Sequence, residues 1–366
     1  MQPPAYYLLA APFYHLGDGA SLPVRLLLVR MLSVILAAVA TACAYLFVRE
    51  LIPGSRWPAR AGALALALQP IFMFNESGVN SDALVVAVAA AVALVVARAW
   101  RRGLTTSHAL ALGALTGVGV LSKVNFLLLL PSIALAVCAL WWGAGAGARR
   151  AAALRLAGAA AVALALLGLY VLVDDVAWHR TTTFRQAAYS VQGGGVGRLL
   201  SHVWQFFLPA LPSMQLRLTN GGAPPVWDEL VKGSTSRLGW WNDYGLPSGW
   251  ATLALLLVAL VALGAARWLL PRVRRRPGPP LVAAGCALAF LGALVVADYQ
   301  YGLGTGASGI EGRYIFPLAP LWAVTVGACV AGVPARRRPL VTGVLASAFV
   351  LYTVVALATT VQRYYL

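Results

Sequence analysis

Apolar runs of about 17 to 25 residues recur along this chain from one end to the other, and each is long enough to cross the ~30 Å hydrocarbon core of a bilayer as a helix. Inside lipid every backbone N–H and C=O must be satisfied within the segment or a closed barrel, so runs of this length predict helices. The composition agrees: 60% of the 366 residues are hydrophobic, 11% are charged, and mean hydropathy is +0.78. Soluble domains carry about a quarter charged residues, so a water-soluble fold is excluded. The chain reads as an all-α, polytopic integral membrane protein.

Continuous apolarity bounded by charge, Gly or Pro predicts ten spans, at 24–48, 58–75, 80–100, 106–122, 126–143, 150–172, 250–270, 280–298, 314–333 and 339–361. Basic clusters fall at every second turn: Arg49, Arg56 and Arg60; Arg98, Arg101 and Arg102; Arg149, Arg150 and Arg155; Arg267, Arg272 and Arg274 to Arg276; Arg336 to Arg338. The positive-inside rule assigns those five loops to the cytoplasm and both termini of the chain to the outside. The net charge of +17, from 26 Arg and 2 Lys against 11 acids, follows from this topology and needs no nucleic-acid partner. Three regions result: residues 1–172, an external segment 173–249, and 250–366. The external segment is too long for a tight turn. It carries Trp204, Trp227, Trp240, Trp241 and the Gly193 to Gly195 run, with Trp250 just beyond, and it reads either as an ordered lid whose stretch 198–214 lies in the membrane interface or as an interfacial aromatic belt with no chemistry. Cys43, Cys138, Cys286 and Cys329 all sit in apolar spans, and His15, His108, His179 and His202 show no ligand spacing, so no metal site is expected from them.

The placement of ionisable groups is the main pointer to function, because a charge near the bilayer centre is costly and usually functional. Here the centre is empty, and the deepest charge is Arg30 on the first span. An ion-coupled transporter is expected to carry a carboxylate or ion pair near the midplane, which disfavours that reading. Polar groups gather instead at the outer helix ends: Arg25 and Arg30, the run "NESGVNSD" from Asn75 to Asp82 with Glu76 and Asn80, "SKVN" from Ser122 with Lys123 and Asn125, and "EGRYIFP" from Glu311 with Arg313 and Tyr314. Together they are expected to line an outer-leaflet cavity holding carboxylates and cations. Plainer roles compete: Asp82 after Ser81 suits a helix N-terminus, Glu76 a solvated loop, Lys123 a snorkelling position, and the arginines lipid phosphates.

The string "QPPAYYLLAAPFY", Gln2 to Tyr14, with "VNSDALV" from Val79, "LSKVNFLLLLP" from Leu121, "GWWNDYGLP" from Gly239 and "EGRYIFPLAP" from Glu311, resembles a bacterial family of multispan predicted membrane proteins related to the GT-C glycosyltransferases. In order and spacing these strings cover nearly the whole chain. The resemblance implies a GT-C-like fold in a bacterial plasma membrane. It also implies transfer of a sugar from a polyprenyl phosphate to an envelope acceptor on the outer face, as in protein O-mannosyltransferases and the aminoarabinose transferases of lipid A. Such chemistry needs a carboxylate to take the acceptor's proton and cations to hold the departing phosphate. By resemblance the catalytic candidates are Glu76 and Asp82, the phosphate-side candidates Arg25, Lys123 and Arg313, and the cavity-lining candidates Gln2, Tyr6, Arg30, Asn80, Asn125, Glu311 and Tyr314.

The resemblance implies an Asp-Glu pair before QPP, after a first transmembrane helix, whereas here Met1 directly precedes Gln2. The expectation is a chain truncated at its start or one without the usual base; Asp18 lies past the motif and does not replace it. A non-enzymatic transporter or lipid-binding component of an envelope assembly is the competing class. The expected partners are a polyprenyl-phosphate-linked sugar and membrane lipids, with no cofactor. Two carboxylates beside a phosphate could recruit a divalent ion, but no ligand set is visible. The sugar, the acceptor and the oligomeric state are left open.

Overall fold

The structure is a computed structural model that describes residues 2–174, 195–214, 224–238, 244–275, 277–305 and 308–365. Helices dominate the described residues: α1 Ala5–His15, α2 Leu22–Leu51, α3 Trp57–Ala67, α4 Pro70–Glu76, α5 Asp82–Arg102, α6 Thr106–Ser122, α7 Leu130–Gly143, α8 Arg149–Leu172, α9 Val196–Phe207, α10 Ser248–Arg275, α11 Gly278–Thr305, α12 Ala319–Ala331 and α13 Arg338–Tyr365. Eight helical segments among them are long and apolar enough to span a bilayer. The remaining two of the ten expected spans are the 17-residue α6 and the pair α3 and α4. The protein is therefore a multi-pass helical membrane protein.

Three expected spans are not continuous helices. The segment 58–75 breaks between α3 and α4 because Pro70 has no N–H to donate and disfavours helical geometry at Gln69. The Gln69 side chain caps the new start, its Oε1 accepting from the Phe72 N–H at 2.8 Å. Spans 126–143 and 314–333 open with 3-10 turns, Val124–Leu129 and Gly312–Leu318, before continuing as α7 and α12. All three irregular stretches lie at the bundle end opposite the arginine clusters. Irregular backbone at such depth is tolerated where protein covers it, and here it presents side chains to a common site. One helix lies outside the ten expected spans: α1, "AYYLLAAPFYH", packs along the first half of α2.

α5 is the central helix. Its apolar residues from Ala83 to Ala90 are all buried, and α2, α6 and the Gly312–Leu318 turn pack against it. Small residues bring helices together. At Gly62 a Cβ would collide with the Ala323 carbonyl, and at Gly113 with that of Ala159, so α3 packs backbone to backbone on α12 and α6 on α8.

At the opposite end the Glu50 carboxylate meets three arginines of α5, with Arg98 at 3.5 Å, Arg101 at 3.3 Å and Arg102 in closer contact. Two of the predicted basic loops are thus tied to each other by one acid. Of the segment 173–249, Trp240, Trp241, Gly193 and Gly194 lie outside the described residues. What is described comprises α9, a wide helical turn Val226–Lys232 and a two-residue antiparallel pair, β1 Arg237–Leu238 with β2 Tyr244–Gly245, which hydropathy did not predict.

Candidate functional site

The polar site is built on the helix breaks. Asp82 is the first residue of α5, where the positive end of the helix dipole favours a carboxylate. Asn80 fixes it on two sides: the Asn80 Oδ1 accepts from the Asp82 N–H at 3.0 Å, and the Asn80 Nδ2 donates to Asp82 Oδ2 at 3.0 Å. Lys123 occupies an extended residue between α6 and the 3-10 turn, and that break turns its Nζ onto Asp82 Oδ1 at 2.7 Å. Arg313, raised by the turn that precedes α12, places Nε 3.8 Å from Asp82 Oδ2 and a terminal nitrogen 2.8 Å from Glu311 Oε2. Asn125 and Tyr314 complete a small cavity with Asp82 and Arg313, and the Arg313 guanidinium lies 5.6 Å from the centre of the Tyr314 ring.

Two cations and two carboxylates thus meet in a largely buried cluster. Burial pushes Glu311 up to about 6, with Arg313 working against that shift and the neighbouring Asp82 adding to it. A carboxyl in that range both accepts and releases a proton near neutrality.

Tyr6 joins the cluster from α1. Its hydroxyl lies 2.9 Å from Ser33 Oγ on α2 and accepts from the Asn80 N–H at 3.2 Å, so α1, α2 and the loop that orients Asp82 share one buried oxygen. Ser33 was absent from the sequence reading; a lone serine inside the apolar run of α2 was its only signal. Glu76 ends α4, is 2% exposed, and neither of its oxygens has a hydrogen-bond partner among the described residues. It borders an apolar groove between α2 and the α3–α4 pair that Thr41, Tyr45 and Phe72 also line.

Three expected members lie elsewhere. Arg25 pairs with Asp18 at 3.4 Å and stacks 5.1 Å from the Tyr14 ring centre. On α2 it precedes Ser33 by eight residues, about 12 Å along the axis at 1.5 Å per residue. Arg30 and Gln2 are exposed.

The segment between α8 and α10 also reaches the site. Gly312 abuts the backbone of Gly233 and Ser234 so closely that a Cβ would collide with it, and the Gln69 amide donates to the Ser234 carbonyl. His202 of α9 and Asp298 of α11, not paired in the sequence reading, meet at 3.3 Å with both side chains fully buried. Asp298 Oδ1 also accepts from Ser308 Oγ and the Gly309 N–H. Among the described residues no three His, Cys, Asp or Glu side chains gather as a metal site.

Among solved structures the chain resembles the archaeal oligosaccharyltransferase AglB of Archaeoglobus fulgidus, a structure in complex with an inhibitory peptide and a dolichol-phosphate. The TM-score is 0.51 at 14% sequence identity, over 98% of this chain and 47% of that one. The present chain thus spans about half the length of that enzyme and shares its GT-C membrane fold. No curated protein sequence matches it. The family model for predicted membrane proteins called DUF2142 matches residues 3–322, and the chain belongs to that family.

Proposed function

We propose that this protein is a GT-C-type glycosyltransferase that moves a sugar from a polyprenyl-phosphate donor to a hydroxyl acceptor of the cell envelope. The observation that carries the reading is the convergence of Asp82, Lys123, Arg313 and Glu311 at one end of a GT-C bundle. That end lies opposite the arginine clusters, which by the positive-inside rule makes it the outer face of a bacterial plasma membrane with both chain termini external. The neighbour AglB is described with dolichol-phosphate, a lipid of the donor class invoked here.

In this reaction the acceptor oxygen attacks the anomeric carbon as the bond from that carbon to the phosphate oxygen breaks. The acceptor proton passes to a carboxylate, and polyprenyl phosphate departs as an anion. Arg313 offers a planar fork and Lys123 a point charge to hold that phosphate. Asp82, hydrogen-bonded to Lys123 and backed by Asn80, positions both cations. Glu311, with its value near 6, is assigned the proton in preference to Glu76, both of whose oxygens are sealed from solvent, and to Asp82, which faces two cations where Glu311 pairs with one. The cluster's position at helix ends, away from the midplane, favours transfer over ion-coupled transport.

The test is the purified full chain in liposomes, supplied with radiolabelled polyprenyl-phospho-sugars and envelope extract. Label should move to the acceptor, and Lys123→Met and Arg313→Met should each lower the rate by about 10²- to 10³-fold, as expected for removing one electrostatic stabiliser. Transfer at the unmodified rate in both folded variants, or no turnover of any donor by the unmodified chain, would reject the reading.

A further inference from the structure

At the arginine-rich end of the bundle, away from the candidate transfer site, a second cavity of about 290 Å³ opens between the α2–α3 loop and the ends of α10, α12 and α13. Its polar lining is Ser55, Arg272 and Arg338, set against Pro53, Trp268 and Ala331. Both guanidiniums are held in place by backbone carbonyls. Arg272 donates to the Trp268 carbonyl at 2.7 Å and stacks 3.8 Å from that ring's centre. Arg338 donates from Nε to the Val333 carbonyl at 3.1 Å and from a terminal nitrogen to the Ala331 carbonyl at 3.2 Å. Carbonyls fix direction without neutralising charge, and among the described residues neither arginine forms an ion pair with an acid. Glu50, the acid adjacent in sequence to the α2–α3 loop, is already engaged by Arg98, Arg101 and Arg102. Two positioned cations therefore share a concavity with no counter-charge among the described residues. A water takes about 30 Å³ of liquid, so there is room for a phosphate group with its hydration.

We propose that this cavity binds the phosphate headgroup of an anionic lipid in the leaflet that meets the arginine-rich end. Guanidinium forks suit phosphate oxygens, Trp268 suits the membrane interface, and basic pockets between helix ends on this side hold lipid headgroups. The site is separate from the transfer reaction and does not depend on it.

The full-length protein is reconstituted in nanodiscs of phosphatidylglycerol and phosphatidylcholine, and the lipids retained after release are counted by native mass spectrometry. The unmodified chain should keep a phosphatidylglycerol that the Arg272→Gln/Arg338→Gln variant loses by about tenfold or more in occupancy. Ser55→Trp, which fills the cavity and leaves both arginines, should lose it equally and guards against a folding defect in the double variant. Arg336→Gln/Arg337→Gln removes the same charge from exposed positions outside the cavity and should retain the lipid. Displacement of the retained lipid by millimolar inorganic phosphate would assign the site to phosphate alone, whereas resistance would assign it to the lipid. Equal retention by all variants, or equal loss in the exposed-arginine control, would overturn the proposal.

Discussion

Lys123 and Asp82 stand 41 positions apart in the chain, yet the lysine Nζ lies 2.7 Å from the aspartate Oδ1, with only about an eighth of either side chain exposed. The contact exists because α6 stops at Ser122 and Lys123 takes an extended backbone. Breaking a pair this buried strands one charge, at a cost of about 3 to 5 kcal/mol for full burial and less here, since Arg313 remains near Asp82. Lys123→Met should therefore lower the thermal midpoint, and adding Asp82→Asn should restore part of it while transfer stays lost. Full recovery of transfer in the double variant would show that the pair is structural.

The pH dependence should follow Glu311. With its proton leaving at about 6, transfer should rise with pH through that value if Glu311 takes the acceptor proton, and Glu311→Gln should remove the acidic limb together with the activity. The linkage to stability has the opposite sign. The native value lies above the ordinary 4.5, so the native state holds this proton more tightly than the unfolded chain. The resulting stability is complete below about 4.5 and declines as pH rises towards 6. Denaturation midpoints of the unmodified chain and Glu311→Gln across that window check the sign.

Gly312→Ala should displace the turn Gly233–Thr235 from the site, because the added methyl would occupy the space of the Gly233 carbonyl group. The expected outcome is a loss of transfer with the membrane bundle intact, measured as activity against helical circular dichroism. Wild-type activity would show that the turn yields at little cost.

Tyr6→Phe removes the acceptor of the buried Asn80 N–H and the partner of Ser33. A buried donor left unsatisfied costs about 1 to 3 kcal/mol, so the variant should unfold earlier and, by loosening Asn80, weaken the hold on Asp82. Pairing Tyr6→Phe with Ser33→Ala should cost little beyond Tyr6→Phe alone if the two groups act through the same bond.

The length of the apolar runs is enough to put this chain in a membrane as helices, because runs of that length without water leave the backbone no better way to satisfy its hydrogen bonds. It also located nearly every polar residue of the site, since isolated charges and amides at the ends of apolar runs stand out against lipid composition. Which of them meet depends on how the helices pack. Arg25 and Arg313 look alike in sequence, each an arginine at the start of a span, yet one is turned to Asp18 just ahead of α2 and the other to Asp82 and Glu311. Ser33 and the His202–Asp298 pair were likewise visible only once helices distant in the chain had packed. Hydropathy reports depth along the membrane normal and says nothing of which faces touch. That is set by Pro70, by the two 3-10 turns and by the small residues that let α3 and α12 approach backbone to backbone.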